Sequence, residues 1–401
     1  MKTDLLTCRH NGIQEADLPI MLEKIGVGSV DELIDKTIPT NIRLQEPLPL
    51  AAPMTERQFA EHIADLASQN KLYTSYIGMG WYDAICPAVI QRNVFENPAW
   101  YTSYTPYQAE VSQGRLEALL NFQTAVSDLT AMPLANCSLL DEATAAAEAA
   151  NMMFALRSRD QQKKGANVLF VDENIFPQNL AVIRTRVIPQ GMTILVGDYK
   201  TLEFAPEIFG CIIQYPNSNG SVEDYREFVE KAHAANCKVA VDADILSLAM
   251  LVPPGEWGAD IVFGSTQRLG IPMFYGGPSA AYFATRDEFK RNMPGRIIGL
   301  SKDKYGKLCY RMALQTREQH IKREKATSNI CTAQALLATM AGFYACYHGQ
   351  DGIKTIAKRI HSIATYLNKA LTKLGFVQKN ELFFDTLCLE LPEHVSQQKL
   401  R

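Results

Sequence analysis

The 401-residue sequence lacks the features that mark membrane and secreted proteins. No stretch reaches about 18 consecutive apolar residues, the length needed to span a bilayer, and the first ten residues contain no apolar core of a signal peptide. Charged residues make up 21% of the chain, and the formal net charge is only −3. Neither nucleic acid nor an anionic membrane is therefore an expected partner. We predict a cytoplasmic bacterial protein.

Patterns typical of metal sites, disulfide frameworks and nucleotide sites are also missing. The nine cysteines are scattered, odd in number and never spaced as Cys-x-x-Cys, which is typical of reduced thiols. The seven histidines include no His-x-x-x-His pair. The sequence has no nucleophile elbow, Walker motif or Gly-x-Gly-x-x-Gly motif. We expect no metal centre and no nicotinamide site.

Hydrophobic periodicity predicts three regions. Residues 1–110 are predicted to form an arm of short helices and an extended proline-containing segment, ending in an aromatic-rich stretch. Residues 111–325 are predicted to form a large α/β domain. Residues 326–401 contain two helical patterns and one predicted strand, Phe383 to Leu391. Because one strand buries too little to fold alone, we expect the start of a small C-terminal α/β domain that is cut short.

The large domain alternates apolar strands with helices. The predicted strands are 168–172, 193–196, 211–214, 239–242, 260–263 and 280–283, and the predicted helices are 114–130, 138–159, 177–186 and 222–235. This alternation is typical of a mostly parallel sheet covered by helices on both faces, a three-layer sandwich of the α/β class. Such sheets bind ligands at the carboxyl ends of their strands. Asp172, Asp242 and the turn Ser265-Thr266-Gln267 fall there.

The segment from Val239 to Gly270 resembles the layout of enzymes that use pyridoxal phosphate (PLP). In that class an Asp at the end of a buried strand pairs with the pyridine nitrogen, and a Lys about two dozen residues later forms the Schiff base. Asp242 is present here, but Gln267 stands 25 residues later. An amide forms hydrogen bonds but cannot form an imine. The resemblance implies a chain without its own covalent anchor for PLP.

Longer segments resemble one family in particular. They are residues 101–123, which contain Tyr-Thr-Pro-Tyr-Gln, residues 138–148, which contain Ser-Leu-Leu-Asp-Glu-Ala-Thr, and residues 312–332, which contain Thr-Arg-Glu-Gln-His. These segments closely resemble the P-protein of the glycine cleavage system, the decarboxylating, aminomethyl-transferring glycine dehydrogenase. The resemblance runs from Arg9 to the end of the chain.

In that family two homologous halves, on one long chain or on two subunits, pack into an active site. Only the carboxy-terminal half holds PLP, through a Lys in a His-Lys-Thr motif. This chain resembles the amino-terminal half, with Thr266-Gln267-Arg268 in the place of that motif. The resemblance implies the PLP-dependent transferase fold (fold type I), PLP carried by a lysine-bearing partner half, glycine as substrate and lipoylated H-protein as acceptor. It also implies a fragment that is inactive alone.

Two sets of residues are candidates for the site. The first set is a vestigial cofactor site and comprises Asn136, Ser138, Asp242, Ser265, Thr266 and Gln267. A helix N-terminus near Ser138 would bind phosphate in an active half, but Asp141 and Glu142 would repel it, which favours loss of cofactor binding. Asp242 is either a remnant of the partner of the ring nitrogen or a capping or ion-pairing residue.

The second set is predicted to line the pocket or to contact the other half. It comprises Tyr104, Thr105, Tyr107, Gln108, Arg296, Arg317 and His320. The segment from Thr105 to Gln108 is predicted to reach the neighbouring active site, or else forms a structural loop. Arg296 suits a carboxylate, a phosphate or an ion pair. Arg317 and His320 are expected on one helical face with Arg323.

Two other functions stay open. One is a non-catalytic scaffold or interaction module that keeps the PLP-enzyme fold. The other is a PLP enzyme that uses a displaced lysine, Lys302 or Lys304. The sequence favours the lysine-less half of glycine decarboxylase over both, because an amide at position 267 removes the Schiff base while the rest of the layout is kept.

Overall fold

The structure, a computed structural model, describes most of the chain. The described residues are 6, 9–10, 12–76, 78–102, 106–315, 319–328, 330, 333–392 and 395–396. They divide into two units, Met1–Thr74 and Ser75–Arg401. The finer division at residues 110 and 325 stays a prediction.

The first unit contains the short helices that the sequence predicts. They are α1 (Leu18–Ile25), α2 (Val30–Thr37) and α3 (Glu56–Ser68). Local capping defines their starts: Ser29 Oγ accepts a hydrogen bond from Glu32 N, and Thr55 forms a reciprocal capping box with Gln58. None of the described residues of this unit is buried.

The second unit is built from alternating helices and strands. Its helices are α4 (Ala88–Ile90), α5 (Pro98–Tyr101), α6 (Gln113–Thr130), α7 (Glu142–Ala155), α8 (Arg159–Lys163), α9 (Pro177–Val187), α10 (Arg226–Ala234), α11 (Gln319–Lys322) and α12 (Ala335–Lys373). Its strands are β1 (Leu134–Ala135), β2 (Val168–Asp172), β3 (Thr193–Gly197), β4 (Ile208–Tyr215), β5 (Lys238–Ala243), β6 (Ile261–Ser265), β7 (Ala281–Thr285), β8 (Ile298–Lys302), β9 (Leu308–Met312), β10 (Val377–Gln378) and β11 (Leu389–Glu390).

The described strands form a seven-stranded sheet in the order β1-β7-β6-β5-β4-β2-β3. Pairs among β2 to β6 are parallel, whereas β7 and β1 are antiparallel at one edge. Side chains of β2 alternate between two cores: Phe170 belongs to the core that includes residues of α6, α10 and α12, whereas Val171 belongs to the core that includes residues of α7 and α9. The predicted parallel sheet with helices on both faces is confirmed.

Two predicted elements are wrong in extent, and one pair of strands was missed. The helix predicted over 138–159 begins only at Glu142, because Asp141 caps it and Leu139 pairs with Ala281 of the sheet. The predicted strand Phe383 to Leu391 shrinks to β11, since the Asn380 side chain bonds to the backbone of this segment and holds it in a turn. The β8–β9 hairpin was not predicted.

The turn after β6 packs directly on α12. Gly270 in this turn has φ +78°, and a Cβ there would lie 2.3 Å from Tyr344 Cδ2. Tyr344 is itself buried in the core. Both backbone conformation and space therefore demand glycine at this position.

We expect Gly270→Ala to lower the free energy of unfolding by about 2–4 kcal/mol, combining left-handed backbone strain with overpacking. The matched control is Gly276→Ala, where a Cβ meets nothing within 4 Å. Urea denaturation of both variants measures the difference. Equal free energies of unfolding for the two variants would contradict this prediction, because they would show that the turn moves away from Tyr344 of α12 at little cost.

Candidate active site

A small pocket lies at the carboxyl ends of β4, β5 and β6. Its volume is about 50 Å³, far below the roughly 300–1,000 Å³ of typical small-molecule sites. Its titratable lining residues are Tyr82, Glu142, Asp242, Asp244, Arg268 and Asp385. No lysine is among the described residues that line it. The pocket is crowded and rich in carboxyl groups.

Gln267 lies directly behind this pocket and is fully buried. Its Nε2 donates to the backbone carbonyls of Tyr82 and Ile271, both at 2.7 Å, and its Oε1 accepts from Tyr82 N at 3.4 Å. The turn itself is tied to the sheet, since Ser265 Oγ accepts from Gln267 N and Thr266 donates to a backbone carbonyl of the neighbouring segment. The amide hydrogens of Gln267 are both used to hold the Tyr82 segment over the turn.

Arg268 joins three parts of the chain beside the pocket. Its guanidinium pairs with Asp244 Oδ2 and Asp385 Oδ2, each at 2.6 Å, and lies 4.1 Å from the ring centre of Tyr82. Burial acts to lower the pKa of Arg268, but the two carboxylates raise it overall, so it stays charged. Burial also raises the pKa of Tyr82 to about 12. The arginine therefore occupies the centre of a closed ion-pair network.

Asp242 faces another carboxyl group rather than a cation. Asn179 Nδ2 donates to Asp242 Oδ2 at 2.7 Å and to Glu142 Oε1 at 3.2 Å, which places the two carboxyl groups next to each other. Burial raises the pKa of both, and for Asp242 the Glu142 charge adds to the effect. Two buried carboxyl groups this close disfavour ionising together. Among the described residues Asp242 has no cationic partner, and its origin as a partner of the ring nitrogen stays a prediction.

The helix N-terminus next to the pocket is capped by the protein itself. Asp141 Oδ1 accepts from Thr144 N at 2.7 Å, which uses a donor that a bound phosphate would need. Ser138 is buried and its Oγ donates to the carbonyl of Gln334 at 3.3 Å. These contacts engage groups that a bound phosphate would need, and the loss of cofactor binding at this terminus stays a prediction.

A second cluster brings together candidates from both sets. Tyr107 and Arg296 are buried, and the guanidinium lies 5.6 Å from the Tyr107 ring centre. The Arg296 carbonyl accepts from Cys137 N at 2.8 Å, and Asn136 Nδ2 donates to Pro294 O at 3.1 Å. The segment 294–296 is therefore fixed to the strand-like segment that carries Asn136.

The remaining candidates are exposed or lie outside the described residues. Gln108 and His320 are exposed. Tyr104, Thr105 and Arg317 lie outside the described residues. The expected helical face is interrupted, because α11 ends at Lys322 and Arg323 has φ +51°. A left-handed residue cannot continue an α-helix.

Several residues of the pocket were missed from the sequence. Asp244 follows Asp242 by two positions, so strand alternation already placed both near one face. Arg268 is adjacent to Gln267 in the Thr266-Gln267-Arg268 segment, so its position next to the predicted site was already visible in the sequence. Tyr82, Asn179 and Asp385 come from distant segments, and no local pattern indicates them. Their convergence is a property of the tertiary fold.

Among the described residues, no group of three or more His, Cys, Asp or Glu side chains is placed to hold a metal ion. Within the same residues, every helix is too short or too polar to cross a bilayer.

We expect Asp242→Asn to become more stable relative to the unaltered chain as pH rises from about 4 to 7. In the unaltered chain the raised pKa values let the folded pair keep a proton that the unfolded chain releases. Its free energy of unfolding therefore falls as pH rises, by up to about 1.4 kcal/mol per pH unit. Asparagine keeps the bond from Asn179 and can donate to Glu142. Urea denaturation across this pH range measures the effect. Glu227→Gln, which alters an exposed pair with Lys231, is the control. A pH-independent difference would contradict proton sharing.

Comparison with known proteins assigns the family. The model of the family "Glycine cleavage system P-protein" matches residues 8–401. The glycine dehydrogenase (decarboxylating) of Bacteroides thetaiotaomicron is 78% identical over 401 residues, which are 100% of this chain and 42% of that protein. The chain thus spans less than half the length of the curated relatives it matches.

Solved structures agree. A crystal structure of glycine decarboxylase (P-protein) of the glycine cleavage system, in inhibitor-bound form, matches with TM-score 0.83 and 33% identity, over 94% of this chain and 85% of that chain. A glutamate decarboxylase from Lactobacillus brevis matches with TM-score 0.58 and 14% identity, over 88% and 82%, which shows the fold alone. The predicted PLP-dependent fold type I is confirmed. With a match along nearly its whole length, this chain belongs to the glycine cleavage system P-protein family.

Proposed function

We propose that this chain is the lysine-less, amino-terminal half of a glycine cleavage P-protein. The complete protein would use PLP to decarboxylate glycine and transfer the aminomethyl group to the lipoyl arm of H-protein. The observation that carries the proposal is Gln267, a buried amide with both hydrogens engaged, at the position of the Schiff-base lysine. This chain would act together with a lysine-bearing half, in the cytoplasm.

The residues at this site do not fit PLP. A pocket of about 50 Å³ is too small for a cofactor. The nearby helix N-terminus is capped by Asp141, and four carboxyl groups line the pocket beside a single arginine, Arg268, which is already paired with Asp244 and Asp385. A phosphate ester would meet repulsion there rather than donors. We infer that PLP is carried by the lysine-bearing half and that none is bound covalently here.

The contribution of this chain is then to shape and close the shared active site. The segment that contains Tyr104, Thr105, Tyr107 and Gln108 is our candidate for the contact with the other half. Tyr107 is buried beside Arg296, which gives this segment a fixed base. Groups positioned in this way exclude water and limit the size of an amino-acid substrate without taking part in bond breaking. Arg317 and His320 remain candidates for the same contact.

A non-catalytic scaffold is the second candidate function. The satisfied hydrogen bonds of Gln267 and the closed Arg268 network would serve a scaffold equally well. The two functions differ in whether pairing with a lysine-bearing half restores turnover. A displaced lysine is less favoured, because Lys302 and Lys304 are exposed and do not line the pocket.

We expect the isolated chain to show no exchange of label between bicarbonate and the glycine carboxyl group, because it has no amine to hold PLP. Adding a lysine-bearing half, PLP and H-protein should restore exchange. The matched control is the lysine-bearing half alone under the same conditions. Exchange by this chain alone would contradict the proposal, and binding of the two halves without restored turnover would favour the scaffold.

We expect Gln267→Lys not to create a Schiff base with added PLP. The new ammonium group would donate to the carbonyls of Tyr82 and Ile271 and would have no room for the cofactor. Losing the acceptor for Tyr82 N should lower the free energy of unfolding by about 1–3 kcal/mol. Borohydride reduction and peptide mapping measure the adduct. Adduct at position 267 would show that the pocket opens, and adduct at Lys302 or Lys304 would support a displaced lysine.

A further inference from the structure

A second cavity, of about 190 Å³, lies at the edge of the sheet opposite the carboxyl-edge pocket. Lys238 is the first residue of β5, Asp260 directly precedes β6, and Arg286 directly follows the antiparallel strand β7. All three therefore lie where the parallel strands β5 and β6 begin. His233 of α10 completes the charged lining. These residues all belong to the second unit, and we call the space between them the amino-edge cavity.

Asp260 forms the base of the amino-edge cavity and is only 1% exposed. Its Oδ2 accepts from Val239 N at 2.8 Å and lies 2.9 Å from His233 Nε2. Its backbone N donates to Val239 O at 2.9 Å, and its carbonyl accepts from Thr285 Oγ1 at 2.8 Å. The fold therefore fixes this carboxylate in place, with one oxygen fully engaged.

Two cations lie near the other oxygen of Asp260 without bonding to it. Arg286 Nε is 3.6 Å and Lys238 Nζ is 3.9 Å from Asp260 Oδ1, which has no hydrogen-bond partner among the described residues. Both distances are too long for a hydrogen bond. Within the described part of the chain, the Lys238 ammonium group donates no hydrogen bond, and it lies 5.0 Å from the Phe289 ring centre. The lysine balances the carboxylate through space and keeps its own donors available.

Arg286 is anchored at one side of its guanidinium and open at the other. Nε donates to Ala259 O at 3.2 Å, and Nη2 donates to the carbonyl of Gly258. Nη1 lies 3.9 Å from Glu288 Oε1, which is too far for a hydrogen bond, and the Glu288 side chain is 63% exposed and does not line the cavity. An anchored guanidinium loses little side-chain entropy when its remaining donors bind a ligand.

The positive charge around the cavity exceeds what Asp260 requires. Two cations, Lys238 and Arg286, against one carboxylate leave a net charge of +1, to which His233 adds when it is protonated. The side chains of His233, Lys238 and Arg286 are 33%, 32% and 36% exposed, so a solute reaches them. The volume is below the roughly 300 Å³ at which sites for larger organic ligands begin. A small anion fits this combination of charge and size.

We propose that the amino-edge cavity binds a free tetrahedral oxyanion of the size of inorganic phosphate. The anion accepts hydrogen bonds from the Lys238 ammonium group and from Arg286 Nη1, and Asp260 lies behind the two cations. Hydrogen bonds between ionised groups are about twice as strong as neutral ones, which suits a site with few contacts. The site lies at the opposite edge of the sheet from Gln267 and does not require a lysine-bearing half.

The test measures the ³¹P NMR line width of inorganic phosphate titrated with the full chain at constant ionic strength. Lys238→Gln should weaken binding about tenfold or more, because it removes a charged donor. Asp260→Asn should tighten binding about threefold or more, because it removes a repelling charge while the new amide still accepts from Val239 N. Lys231→Gln makes the same charge change on α10, where Lys231 pairs with Glu227, and should change binding less than about twofold. Circular dichroism checks that each variant is folded.

The competing results are distinct. Sulfate should displace phosphate, because both present tetrahedral oxygens to the same donors. Absence of broadening by the unaltered chain, or equal losses in Lys238→Gln and Lys231→Gln, would show diffuse surface attraction at most and would overturn the inference. Weaker binding by folded Asp260→Asn would contradict an anion held in front of the two cations. Tighter binding of glycerol phosphate than of inorganic phosphate would overturn the assignment to a free ion.

Discussion

The hydrogen bonds of the Gln267 amide are the constraint on which the carboxyl edge of the sheet depends. Because both amide hydrogens go to the carbonyls of Tyr82 and Ile271, two segments far apart in sequence are fixed to each other inside the protein. That fixation places Arg268 between Asp244 and Asp385. A lysine at this position would bring a charge and lose an acceptor, so the same geometry that stabilises this edge also closes it to an imine.

Much of the charge in the pocket is balanced within the protein. Arg268 offsets two carboxylates, and burial together with the Glu142 charge raises the pKa of Asp242, which favours its neutral form. Buried acids are costly unless they are paired or protonated. The charged groups that line the pocket therefore satisfy one another.

Much of the fold follows from local patterns. Continuous apolar runs and helix caps predicted the parallel sheet and most of its helices, and the rule that carboxyl ends meet at one edge correctly brought Asp242 and Gln267 together. The predictions failed where a side-chain hydrogen bond to the backbone, rather than hydrophobic periodicity, determines where an element begins or ends. Asp141 moved the start of α7, and the Asn380 side chain turned a predicted strand into a loop. Tyr107 and Arg296 were both candidates, but their packing against each other was not predictable from spacing.

The sequence by itself determined the family, the α/β class and the absence of an amine at position 267, because each of these resides in residue identity and short-range order. The tertiary structure alone decided what the amide does, which buried carboxyl groups lie together and how little space is left. Those properties depend on contacts of Gln267 with Tyr82, of Asp242 with Asn179 and of Arg268 with Asp385, which join segments far apart in the chain. Such contacts form only when the layers pack, and no local pattern encodes their distances.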